Sequence, residues 1–343
     1  MQSDHSQRPT LADVARKAGV SGKSVSRVVN GEAYVSAELK AKVDAAIAEL
    51  GYVPDLAARS LAGARSFTIS LLLDTNGQDY VIQLLEGAYE ACKLNSYHLR
   101  IENLDATASN ESLLERLDEV MRHSRLDGFI LAPPFSDNTA IMDWLEERQV
   151  RFTRVAPCIE RERSPCVFVD DAAAAGEIAQ YLVSKGHRRI GLVNGSPRHG
   201  AAIARRTGFL DKIAEIAPDA ELVEATGNFR FEDGIDAGKA LLGAGNPPTA
   251  IFAANDRSAA GVMNACAQLG ISVPDDVSLC GFDDSWLAKL VWPYLTTVRQ
   301  PVSDLGREAA RLLIEKDTGE GAPKQIMLGH SLIERDSVRS LDQ

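Results

Sequence analysis

Apolar residues follow two regimes along this chain. Over the first fifty positions they recur every three or four residues: Leu11, Val14, Ala15 and Ala18, then Val25, Val28 and Val29, then Leu39, Val43, Ala46, Ile47 and Leu50. Each set marks the stripe of a short amphipathic helix. Thr10 followed by Asp13 is the pattern of a capping box, and Gly19 is suited to the left-handed end of the first helix. Val20 falls in the angle between helices, Ser21 is a cap for the second, and Gly51 lies just past the third. From Phe67 onward the pattern changes. FTISLLL, HLRIEN, DGFILA, RFTRVA, CVFV, RIGLVN, ELVEA, TAIFAA and VSLCGF are short apolar runs separated by helical stretches, which predicts parallel α/β sheets. More than 270 residues of this pattern exceed one comfortable core, so two lobes with a cleft between them are expected.

The polar positions sharpen the reading of the amino-terminal module. Gly22, Lys23 and Ser24 match the tail of a phosphate-gripping nucleotide loop. Such a loop needs a glycine five residues earlier and a strand before it. Position 17 is Lys17, and the preceding residues are helical, so the loop is rejected. Read as helix-turn-helix, the second helix presents Lys23, Ser24, Ser26 and Arg27 opposite its apolar side, donors suited to phosphate oxygens and base edges. Charge agrees. The whole chain carries −11, yet residues 1–65 hold nine Lys or Arg against seven Asp or Glu, a balance of +2 that leaves −13 on the rest. A polyanion would meet the front of the molecule and be repelled by the remainder. Pro54 followed by LAARSLA predicts a hinge helix of about two turns, too short to hold alone in water.

In open α/β sheets ligands bind beyond the carboxyl ends of strands. Asp74 and Asn76 follow FTISLLL, Asn194 follows RIGLV, Asn255 and Asp256 follow TAIFAA, and Asp283 and Asp284 follow VSLCGF. Together with Arg205 and Tyr80 they suit a hydroxyl-rich ligand, since carboxylates and amides accept from vicinal hydroxyls and arginine donates in a fork. Trp286 and Trp292 could stack on a sugar face or serve an interface or core. His187 and His199 read as solvated loop histidines. No dinucleotide fingerprint, nucleophile elbow or zinc-protease motif is present, so catalysis is not expected. Five scattered cysteines without C-x-x-C spacing suggest neither disulfides nor a metal site, and no cofactor is expected. The polar first ten residues have no secretory character, which makes the cytoplasm the default location.

Thr10 to Asn30, T-L-x-D-V-A-x-x-A-G-V-S-x-x-S-V-S-R-V-V-N, resembles the signature of the LacI/GalR family of bacterial transcription regulators, and YVPDLAARSLAG resembles that family's hinge. KGHRRIG, R-x-x-G-F from Arg205, AAND, GFDD and YLTTVRQP resemble its effector-binding core, related to periplasmic sugar receptors. The resemblance implies three parts: a helix-turn-helix domain over 1–52, a hinge helix and linker over 53–66, and a two-lobed core over 67–343. It implies that Gly22, Lys23 and Arg27 read bases, while Thr10, Ser21, Ser24, Ser26 and Asn30 hold the DNA backbone and Leu61 wedges into the minor groove. In the core it implies effector contacts from Arg205, Asn255 and Asp283, beside Asp74, Asn76, Tyr80, Asp256 and Trp286. Three departures stand out: Gly22 has no side chain where many relatives carry one, Asp55 replaces the usual asparagine, and DTNGQDY lacks the common N-P-F. The expected function is a homodimeric repressor of a palindromic operator, governed by a small sugar or glycoside. A purine-type corepressor, or a sugar receptor with no DNA role, is the alternative.

Overall fold

The computed structural model describes residues 9–29, 35–52, 65–74, 78–315 and 322–341. Asn30, Leu61 and Asn76, and nearly all of the hinge segment, lie outside the described residues. Contacts divide the chain into two compact units, residues 1–67 and 68–343.

The first unit holds three helices, α1 (Leu11–Ala18), α2 (Gly22–Val29) and α3 (Ala37–Leu50). Their apolar stripes meet in one cluster around buried Val14, Val25, Val43 and Ala46, with Val20 packed against it. Local chemistry sets the ends. Thr10 and Asp13 form the reciprocal capping box, and Gly19 turns left-handed at φ 67° while its N–H returns to Ala15 and Arg16 carbonyls. Only a residue without Cβ takes that conformation at no steric cost, which fixes the sharp corner between α1 and α2. Ser21 Oγ accepts from Ser24 N at 3.1 Å and starts α2.

The second unit contains two parallel sheets. One has the order β11-β5-β4-β3-β1-β2, built from β1 (Thr68–Leu73), β2 (His98–Asn103), β3 (Phe129–Leu131), β4 (Phe152–Val155), β5 (Cys166–Val169) and β11 (Gln325–Leu328). Helices α4 (Gln78–Leu94), α5 (Asn110–His123), α6 (Thr139–Glu147) and α11 (Val302–Ile314) belong to this lobe. The other sheet has the order β7-β6-β8-β9, from β6 (Arg189–Asn194), β7 (Glu221–Thr226), β8 (Ala250–Ala253) and β9 (Ser278–Cys280). Around it lie α7 (Asp171–Ser184), α8 (Gly200–Ile216), α9 (Phe231–Leu242) and α10 (Asp256–Leu269). Separate apolar clusters cover the two faces of this sheet, one around Phe209 and Phe252, the other around Ile251 and Val262. β3, β4, β5, β8 and β9 are buried at every position, as expected of strands covered on both sides.

An antiparallel pair, β10 (Thr297–Arg299) with β12 (Ser331–Ile333), completes the unit. The chain passes between the lobes after β5, returns after β10 to build α11 and β11, and leaves again before β12. These crossings bring the carboxyl ends of the two sheets to a shared cleft.

Candidate functional site

The amino-terminal unit presents a short polar surface. Ser21, Gly22 and Lys23 at the start of α2 are exposed, and Ser24, Ser26 and Arg27 are partly exposed. Opposite them Val25 is fully buried. The first turn of α2 has no acidic residue and its last turn carries Arg27. A polyanion approaching the start of this helix therefore meets the exposed Lys23 ammonium. Thr10 serves the cap of α1: its Oγ1 donates to Asp13 Oδ2 at 2.6 Å and accepts from Asp13 N at 3.3 Å.

Between the lobes of the second unit lies a cavity of about 540 Å³, within the range of small-molecule sites. Asp74, Tyr80, Arg205, Asn255 and Asp283, five of the residues singled out from sequence, line it. Asp74 follows β1, Asn255 caps α10 after β8, and Asp283 follows β9, so the strand-end placement holds for all three.

Arg205 organises the second-lobe wall. Its Nε donates to Asp171 Oδ1 at 2.7 Å and its Nη1 to the Ala254 carbonyl at 2.7 Å. Asp283 Oδ1 lies 3.6 Å from Nη1, and the Phe282 ring lies 3.7 Å beneath the guanidinium carbon. Nη2 has no partner among the described residues. Burial pulls the Arg205 pKa down, and Asp171 and Asp283 more than offset it. Asp283 is pushed up to about 6 by burial, against the pull of Arg205 and of Gln300, whose Nε2 donates to Asp283 Oδ1 at 2.8 Å. Its backbone stands at φ 113°, a region costly for a residue with a Cβ. The arrangement holds one fork edge and one carboxylate at the cavity wall without assembly work at the moment of binding.

Several placements correct the sequence reading. Asp256 does not line the cavity. It is buried, with its oxygens taken by Ser285 N at 2.7 Å and Thr297 Oγ1 at 2.6 Å, so it braces the loop that carries Asp283. Trp286 is also off the cavity wall. Its indole N–H donates across the lobes to the Asp79 carboxylate at the start of α4. Trp292 is 78% exposed and meets Tyr294 edge-on. Asn194 donates to Glu224, and Asp284 pairs with Arg299 and Arg335. Neither histidine is a solvated loop residue. His187 is buried because each ring nitrogen meets a partner, Thr249 Oγ1 at 2.9 Å and the Arg339 carbonyl at 3.2 Å. His199 lines the cavity edge-on to Phe229.

Besides His199, the cavity includes residues that the sequence reading passed over: Phe135, Asp137, Asp171, Phe229 and Gln300. Asp171 follows CVFV, and Phe229 follows β7, so the strand-end rule applied to every strand would have found both. Asp137 accepts from Cys158 N at 2.8 Å and Ile159 N at 3.3 Å. Opposite, Gly200 opens α8, where an added Cβ would lie 2.4 Å from Asp137 Oδ2 and 2.6 Å from Cys158 Cβ. At that point the lobes nearly touch, and only hydrogen fits.

A helix-turn-helix unit and a two-lobed parallel α/β core with a polar interlobe cavity define a ligand-responsive DNA-binding regulator. Residues 10–55 match the family model described as bacterial regulatory proteins, lacI family, and residues 179–338 match the periplasmic binding protein-like domain. The ribose operon repressor of Escherichia coli (strain K12) is 34% identical over 339 residues, 96% of this chain and 99% of that protein. Among solved structures, the lac repressor dimer bound to operator and an anti-inducer aligns over 97% of this chain and 100% of its own, with TM-score 0.76 and 26% identity. A complex of the regulator CelR with cellobiose aligns over 96% of this chain and 100% of its own, with TM-score 0.72 and 29% identity. The chain belongs to the LacI family of bacterial regulatory proteins.

Proposed function

We propose that this protein is a cytoplasmic repressor that binds a near-palindromic operator as a homodimer and is released or engaged by a sugar or glycoside held in the interlobe cavity. The observation that carries the effector reading is the Arg205, Asp171, Asp283 and Asn255 set on the cavity wall, donors and acceptors matched to vicinal hydroxyls. Phe229 offers a flat apolar face to the same space. Gly22, Lys23 and Arg27 read base edges, with Ser21, Ser24 and Ser26 on the backbone. Closure of the lobes is relayed through the connecting segment at 53–66, so effector occupancy alters the grip of the paired modules.

Mobility-shift titration with inverted-repeat duplexes from the neighbouring promoter, with and without mono- and disaccharides, tests the reading. A preference for one repeat that a sugar changes supports it. Loss of sequence preference under all conditions rejects it. Response to a purine alone would replace the sugar.

A further inference from the structure

The charges around the cavity are distributed unevenly. On the first-lobe wall are Asp74 and Asp137, with no cation. On the second-lobe wall the carboxylates of Asp171 and Asp283 are engaged by Arg205. Arg198 and Arg230 also line that wall, and among the described residues neither makes an ion pair. Between them His199 has its Nδ1 buried without a hydrogen-bond partner. Leaving such a buried atom unpaired costs free energy, so a ligand atom that meets it is favoured. Arg198 and His199 precede α8 and Arg230 precedes α9, and neither helix has a side-chain cap at its amino end. Both helix starts add partial positive charge to the same wall.

We infer that the effector is an anionic sugar derivative, a sugar phosphate or sugar acid, whose charged group lies against Arg198, His199 and Arg230 while its hydroxyls meet Arg205, Asp283 and Asn255. This rests on the sugar-effector reading above and narrows it. A neutral sugar brings no counter-charge to the two arginines, whose exposed guanidiniums water otherwise hydrates, and none to the wall around the buried imidazole nitrogen. An anion supplies acceptors to all three, and the arginine fork suits a phosphate or carboxylate edge. Burial and Arg205 hold the imidazole pKa down at about 4, so it meets the anion as a neutral ring whose Nδ1–H donates.

Calorimetric titration of the full chain with two matched pairs, ribose and ribose 5-phosphate, galactose and galacturonate, tests the inference. An anionic member should bind at least tenfold more tightly than its neutral counterpart. The double variant Arg198→Ala/Arg230→Ala should lose at least tenfold in affinity for that anion and stay within twofold for the neutral sugar. Both side chains are exposed, and an unchanged melting temperature of the free variant confirms its fold. Neutral sugars that bind as tightly as the anionic ones, or a double variant that weakens both alike, would overturn the anion subsite while sparing the sugar reading. If none of the four binds and guanine does, the sugar reading itself fails and takes this inference with it.

Discussion

Asp283, proposed above as an effector contact, would serve binding at the expense of stability. With its carboxyl pushed from 3.8 up to about 6 by burial, the folded protein holds this proton more tightly than the unfolded chain does. The favourable contribution is therefore full below pH about 4 and is lost as pH rises through 6. Asp283→Asn removes that cost at pH 7. The free variant should be more stable there by up to about 3 kcal/mol, less whatever Arg205 loses with its partner, and the gain should vanish near pH 4. Urea melts across that pH range give the difference, and a variant less stable than the parent at pH 7 would contradict the assignment. The same substitution should weaken effector binding, because Asn cannot match the ionised acceptor. Gly200 makes a second residue-level case. A methyl group there meets Asp137 and Cys158 at sub-contact distances, and overpacking of this kind costs about 1–3 kcal/mol. Since the clash lies between lobes, Gly200→Ala should raise the effector Kd about tenfold or more while the melting temperature of the free protein barely moves. Equal effector affinity in calorimetry would show that the lobes are not required to meet here.

At the scale of elements, α2 is held by one fully buried residue and exposes one lysine. Lys23→Ala should weaken operator binding by about 1–3 kcal/mol if Lys23 reaches a base edge, and the loss should relax preference at one operator position. A loss uniform across sequences, with a shallower salt dependence, would instead place Lys23 on phosphate. The helices of this unit were legible because four of their six ends have a chemical signal: Thr10 with Asp13, Gly19, Ser21 and Gly51. The nine strands predicted from apolar runs are all present: β3, β4, β5, β8 and β9 because burial at every position demands apolar sequence, and the largely exposed edge strands β2 and β7 because a short run of apolar residues still marks them. β10, β11 and β12 were not legible. They are three or four residues long, and β11 and β12 are half-exposed, so no run or alternation marks them. These strands flank two of the interlobe crossings, and Gln300, which follows β10, was missed with them. Strand-end carboxylates were legible as a group but not singly. Asp256 and Asp283 carry the same chemistry after adjacent strands, and only the tertiary structure sends one to Thr297 and Ser285 and the other to Arg205.

For the molecule as a whole, the question is how closure of one cleft could reach a partner subunit. Ile82 and Tyr89 are both more than half exposed on α4, seven residues apart and so on one side of the helix. In the second lobe Leu290, Trp292 and Tyr294 are exposed together, with Trp292 at 78%. Large exposed apolar side chains grouped this way mark an interaction surface. A homodimer that covers both groups holds each lobe separately, so a change in the angle between lobes must also change how the two subunits face each other. Trp292→Asp would place a charge in that contact and leave the cavity, which Trp292 does not line, untouched. Sedimentation should then show a monomer at concentrations where the parent is a dimer. Effector affinity should stay within about twofold, and operator affinity should fall by several orders of magnitude because the two half-sites are no longer bound by one body. A monomer that keeps full operator affinity would mean that a single module suffices, and a variant that stays dimeric would move the contact away from the second lobe.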